Sequence, residues 1–150
     1  MRDFLGIARL YASQPDDWPL APRFDPTGRW YHRIHTGDDH EAWLLTWLPG
    51  QGTELHDHGG SAGAFVVVSG TLTELVAAET GNGIRLVRNE FADGKGHRFG
   101  RHHIHQVTNE SDRPAVSLHV YGPALTTMNR YRVDGSRLSL TEVDRAGAAW

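Results

Sequence analysis

A succession of short β-prone runs, each closed by a glycine, asparagine or aspartate turn, constrains this chain more than any other feature. Residues 43–47 (WLLTW) and 64–68 (AFVVV) are the clearest, the second ending at Ser69 and Gly70. Residues 71–77 continue in the same character, so 64–77 is expected to form a hairpin. Residues 84–87, 104–108, 115–121 and 129–133 follow, punctuated by Gly81-Asn82-Gly83, Asp93-Gly94, the 109–112 segment and Asp134-Gly135. Short strands at this spacing predict an antiparallel β-barrel or sandwich. Ahead of them, Phe4, Leu5, Ile7, Ala8, Leu10 and Tyr11 carry helical spacing, and Pro15, Pro19, Pro22 and Pro26 then exclude regular helix. The expectation is one domain over 1–150, with a helix and wrapping segment to about residue 29 and a barrel over about 30–133.

The 150 residues contain no Cys, which removes thiolate metal sites, cysteine nucleophiles and disulfides together. That suits a reducing cytoplasm, the expected location. The 15 Lys and Arg against 18 Asp and Glu are scattered and give a net charge of −3, so no nucleic-acid footprint is expected. No apolar run approaches the roughly 20 residues of a membrane helix, and the first residues, with an early Asp3, do not read as a signal peptide. No membrane partner is expected, and a monomer or weak homo-oligomer is.

Ten histidines are the other prominent count. His56 and His58 stand two apart, so in a strand they share a face and can grip one metal ion. Asp57 would point the other way. A third ligand must come from elsewhere, and His102, His103 and His105 are all within one short segment. Spacing alone leaves that choice open. His32, His35, His40, His97 and His102 are most simply solvated or structural.

Gly50, His56, His58 and Gly70 stand as G-x5-H-x-H-x11-G, which resembles the first motif of the cupin superfamily. That motif normally carries a Glu ligand in its second gap, where this chain has Gly63. His105 followed by Asn109 resembles the H-x3-N end of the second motif, without the expected Pro and Gly before it. Loss of the Glu with retention of three His is similar to the cysteine dioxygenase type I family of thiol dioxygenases. So are the run Ile104-His105-Gln106-Val107-Thr108-Asn109, the run from Pro114 through Pro123, and Trp47 nine residues before His56.

The resemblance implies a cupin-type, jelly-roll-like all-β barrel that holds Fe(II) on His56, His58 and His105. It implies a catalytic row of Ser117, His119 and Tyr121, and substrate contacts from Tyr31 and Arg33. Some members crosslink a Cys to the catalytic Tyr; that Cys would fall at Gly63, so no crosslink is expected. The implied reaction adds both atoms of O2 to a small thiol, with L-cysteine as first choice and cysteine sulfinic acid as product. A 3-mercaptopropionate dioxygenase, a cupin oxygenase acting on a non-thiol such as a flavonol or diketone, and a non-enzymatic cupin with a structural metal are the competing readings. Arg at position 33 favours cysteine over 3-mercaptopropionate. Apart from the resemblance, 117, 119 and 121 would share one strand face, and an inward polar row satisfied by backbone groups is the plainer account of them. Arg33 could equally pair with Asp38 or Asp39 at the surface.

Overall fold

A computed structural model describes residues 2–145. One helix, α1 (Phe4–Ala12), precedes a single 3-10 turn (Pro15–Asp17) and eleven strands. These are β1 (Trp30–Thr36), β2 (Glu41–Trp47), β3 (Leu55–His56), β4 (Ala62–Ser69), β5 (Leu72–Thr80), β6 (Gly83–Phe91), β7 (Gly96–Phe99), β8 (His105–Thr108), β9 (Ala115–Gly122), β10 (Thr127–Asp134) and β11 (Arg137–Arg145). A five-stranded sheet runs β1-β2-β9-β4-β7 and a six-stranded sheet runs β11-β10-β3-β8-β5-β6. All the strand pairings are antiparallel. The expected all-β, cupin-type architecture with a short N-terminal helix is what the chain forms. Among the described residues no helix is long and apolar enough to cross a membrane.

The two faces of the five-stranded sheet explain its composition. On β9, Val116, Leu118 and Val120 face outward with Ala42, Leu44 and Val66, and α1 lays Phe4, Ile7 and Ala8 over them. Burial of each such side chain contributes about 1.5–3 kcal/mol. The alternate positions, Trp43, Leu45, Trp47, Phe65 and Tyr121, point into the space between the sheets. A strand covered on both sides reads as a continuous apolar run rather than an alternating one, which is why WLLTW stands out in the sequence. The helix itself starts at Asp3, whose carboxylate accepts the Gly6 N–H at 2.9 Å.

The expected 64–77 hairpin does not form. β4 pairs with β7 and β9, whereas β5 pairs with β6 and β8, so the chain passes from one sheet to the other at Ser69-Gly70. Gly70 makes that passage possible: its φ is +89°, and a Cβ there would lie 2.7 Å from the Pro114 carbonyl oxygen. Four strands, β1, β3, β7 and β11, lie outside the runs expected from the sequence, and β11 carries the six-stranded sheet past residue 133.

Candidate metal centre

β3 and β8 are neighbours in the six-stranded sheet, and His56 lies directly opposite His105 in their register. His58 follows β3 by two residues. One ring nitrogen from each of His56, His58 and His105 lies within 4.8 Å of the others, and all three side chains are buried. Burial drives all three imidazoles below the ordinary histidine range, and for His56 and His58 the neighbouring rings push the same way. They are therefore neutral, the form that ligates a metal.

The residues around the triad fix its rings. His56 Nδ1 donates to the Glu54 carbonyl oxygen at 2.8 Å, which leaves Nε2 for the centre. His105 Nδ1 donates to Glu74 Oε2 at 2.6 Å. Glu74 has no exposed surface, and its other contacts are His97 Nδ1 at 2.7 Å and His103 Nε2 at 3.1 Å. Burial would raise this carboxyl, yet hydrogen bonds to His103, His105 and His97 hold it far below the usual carboxylate range. A ligating imidazole that donates its other N–H to a carboxylate is oriented and made more basic. His103, the competing third ligand, directs its Nε2 to Glu74. Glu74, His97 and His103 also satisfy the spacing of a metal-binding group, but their own hydrogen bonds account for their approach.

His58 supplies the test of fit. Its ring stacks on Phe99, centroids 4.6 Å apart, and neither ring nitrogen has a hydrogen-bond partner among the described residues. Buried polar atoms are rarely left so. A metal ion at the focus of the triad would satisfy one of them, and three neutral nitrogen donors suit a divalent first-row transition ion.

Facing the triad from the five-stranded sheet is a hydrogen-bonded row on β9. Trp47 Nε1 donates to Ser117 Oγ at 2.8 Å, Ser117 Oγ meets His119 Nε2 at 2.8 Å, and His119 Nδ1 meets the Tyr121 hydroxyl at 3.3 Å. The Tyr121 ring lies 5.1 Å from that of His58, centroid to centroid. Burial, reinforced by His105 and Arg29, lowers His119 to about 3, so it is neutral. Burial raises Tyr121 well above its ordinary range, against the pull of Arg29, so it keeps its proton. Position 63 lies opposite Tyr121 on β4, and a Cβ there would be 2.2 Å from the Val120 carbonyl oxygen and 3.0 Å from the Phe99 ring. Phe99 closes the space in which the cupin motif would place a Glu.

Tyr31 packs on the inner cluster beside Trp43. Arg33 lies further along β1, half exposed, with its guanidinium over Trp43 and Nη1 3.6 Å from the buried carboxylate of Glu41. The guanidinium of Arg29 lies over Trp47 instead. Sequence reasoning did not single out Glu74. For Glu74 a signal existed, a carboxylate alternating with Leu72 and Val76 on one strand face.

A sequence model for the family described as Cysteine dioxygenase type I matches residues 3–134. This chain belongs to that family. The family match takes in the triad, the β9 row and Glu74 and stops short of β11. Human cysteine dioxygenase type 1 is 25% identical over an alignment of 134 residues that covers 83% of this chain and 66% of the human protein. The chain thus spans just under two-thirds of the length of that relative. Among solved structures, the protein TT1209 from Thermus thermophilus is 25% identical with a TM-score of 0.57, over 69% of this chain and 90% of that one. A protein with a double-stranded β-helix domain from Klebsiella pneumoniae, 16% identical, has a TM-score of 0.54 over 80% of this chain and 90% of its own. The likeness to the Klebsiella protein is one of fold alone, the double-stranded β-helix of cupins.

Proposed function

We propose that this chain is an iron-dependent thiol dioxygenase that converts L-cysteine and O2 into cysteine sulfinic acid. The observation that carries the reading is the meeting of three neutral, buried imidazoles with the Ser117–His119–Tyr121 row across the barrel interior. His56, His58 and His105 would hold Fe(II). When bound, the ion would supply a redox-active Lewis acid that favours the thiolate form of the substrate and mediates its oxidation by O2. The reaction balances as one thiol and one O2 giving one sulfinic acid: sulfur loses four electrons, and both oxygen atoms gain them and end on sulfur.

The row on β9 determines what the protein adds. Trp47 N–H can only donate, so it occupies a lone pair of Ser117 Oγ and turns the Ser117 proton toward His119 Nε2. Neutral His119 then carries its hydrogen on Nδ1 and donates to the Tyr121 oxygen. The Tyr121 proton is thereby directed away from His119, toward the side of His58, where a reacting group would lie. A phenol held neutral and positioned can donate to oxygen or sulfur as charge develops, an effect of about 10²–10⁴-fold. Phe65 and Phe99 border the triad and limit water.

The test is oxygen uptake by the Fe(II)-loaded protein on a panel of thiols that includes cysteine, 3-mercaptopropionate and cysteamine, with sulfinate identified by mass spectrometry. Cysteine turnover is expected; absence of uptake with every thiol rejects the reading. Tyr121→Phe is expected to keep its iron and to lose about 10²-fold or more in turnover. Wild-type speed in that variant removes Tyr121 from the catalytic assignment.

A further inference from the structure

We propose that the cleft between the start of α1 and the end of β7 is a second ligand site, separate from the triad, that takes a small amphipathic carboxylate. The cleft has a volume of about 550 Å³ and is bordered by Phe4, Ala62, Gly63, Arg98, Phe99 and Arg101, among others. That size lies within the range of small-molecule sites. Backbone pairing builds it. Gly63 lies opposite Phe99 and Ala62 opposite Gly122, and Phe4 packs so closely on Gly122 that a Cβ there would meet its ring at 2.3 Å. Phe4, Ala62 and Phe99 thus supply an apolar floor. Gly100 leaves the room above it open, since a Cβ at that position would meet no neighbouring atom within 4 Å.

The cleft is closed toward the metal centre. Phe99 is 7% exposed, and its ring stacks on His58 and on His103, centroids 4.6 and 5.0 Å away. Gly63 is pressed against the Val120 carbonyl and the Phe99 ring. A molecule in the cleft therefore meets the outer side of the residue that walls off the triad, and the cleft is a site of its own rather than an entrance.

The rim is cationic. Arg2, Arg98 and Arg101 border the cleft, and Asp3 supplies the one carboxylate among its lining residues. Arg2 is ion-paired to Asp39. Arg98 reaches Asp3 only at 4.0 Å, with both side chains mostly exposed, and such a pair contributes little. The same Asp3 oxygen already accepts the Gly6 N–H. Arg101 donates its Nε hydrogen to the Gly60 carbonyl oxygen at 3.2 Å, and among the described residues no carboxylate lies within ion-pair distance of it. An apolar floor beneath weakly matched positive charge is complementary to a molecule with both parts. Its hydrocarbon body would rest on Phe4, Ala62 and Phe99, and its anionic end would face Arg98 and Arg101. A guanidinium fork pairs with a carboxylate through two parallel bonds. A cation on the same body would be repelled, and a neutral molecule would gain the apolar contacts alone.

The experiment is anaerobic calorimetry on the Fe(II)-loaded protein with octanoate, 1-octanol and octylammonium, each below its micellar range. Octanoate is expected to bind once per chain, about 10-fold more tightly than 1-octanol, with octylammonium the weakest of the three. Its affinity should stay within about twofold when the metal is removed, because Phe99 separates the cleft from the triad. Ala62→Phe and Gly100→Leu fill the cleft and should each weaken octanoate by about 10-fold or more, with Fe(II) affinity held within about twofold. Gly100→Leu serves alone should Ala62→Phe fail to fold, since a Cβ at 100 meets no neighbour. Arg98→Gln combined with Arg101→Gln should bring octanoate down to the affinity of 1-octanol and leave 1-octanol unchanged. No octanoate binding, equal binding of octanoate and octylammonium, or binding that survives the cleft-filling variants overturns the proposal. So does octanoate binding that disappears with the metal, which would place the carboxylate at the triad. None of these measurements requires turnover, so their outcome is independent of the thiol reading.

Discussion

A carboxylate with no exposed surface must be matched, and Glu74 is matched by three imidazoles at once. The contact to His105 Nδ1, at 2.6 Å, is the shortest of the three and fixes which nitrogen of that ring can face the triad. Replacing the carboxylate with an amide keeps the volume and removes the charge. Glu74→Gln is therefore expected to fold and to bind Fe(II) about 10–100-fold more weakly, read by competitive chelator titration. Unaltered affinity would mean that Glu74 orders the fold and not the ligand. Gly63 is a residue of the opposite kind, defined by what it lacks. A methyl group there meets the Val120 carbonyl and the Phe99 ring together. Gly63→Ala is expected to cost about 1–3 kcal/mol and to lower the melting temperature by several degrees. Gly63→Glu should not create a fourth metal ligand, because Phe99 occupies the room.

Elements were legible in the sequence where their signal is local. β2, β4 and β9 are dense in β-branched and aromatic residues and are covered on both faces, so their runs announce themselves. β7, with the sequence GHRF, has no such signal; it is a strand because Phe65 and Val66 of β4 pair with it, and because Gly96 admits the Phe65 carbonyl, which a Cβ would meet at 2.3 Å. The false hairpin has the same cause. A Ser-Gly turn between two β runs is the ordinary mark of a hairpin, and nothing local tells the chain at Gly70 to change sheets. Gly70→Ala tests that passage. Its φ of +89° and the crowding against Pro114 and Ala115 predict a loss of about 1–3 kcal/mol, seen as a lower denaturation midpoint. Affinity for Fe(II) should stay within about twofold in the folded variant, since His56 and His105 lie on β3 and β8.

At the scale of the whole molecule the site is a product of barrel closure. The triad comes from the six-stranded sheet and the β9 row from the five-stranded one, and 49 residues, the difference between 56 and 105, separate two ligands that meet across one register position. That explains which parts of the site could be read beforehand. His56 and His58 stood out through a two-residue period; the same period put Ser117, His119 and Tyr121 on one face of β9, and only the family resemblance gave that row a role. Spacing left the choice between His103 and His105 open, and the family resemblance made it; the place of Glu74 depends on which strands lie opposite each other, which no local pattern records. Assembly across the fold has a thermodynamic consequence. The unfolded chain cannot present the three imidazoles together, so an Fe(II) ion held by them would bind the folded state and stabilise it by linkage. At free Fe(II) a hundred times its dissociation constant, held anaerobically, the gain is about 2.7 kcal/mol, which for a chain of this size raises the melting temperature by roughly 5–10 °C. Removal of the metal by a chelator should reverse the shift. His58→Ala should abolish it, because one ligand is gone, while Tyr121→Phe should retain it, because the row lies outside the ligand set. Calorimetric melting of the three proteins, each with and without metal, decides the matter: a Tyr121→Phe protein that lost the shift would place Tyr121 among the groups that hold the metal, and a wild type that never showed one would separate the triad from the metal and leave the barrel as a binding fold without its proposed chemistry.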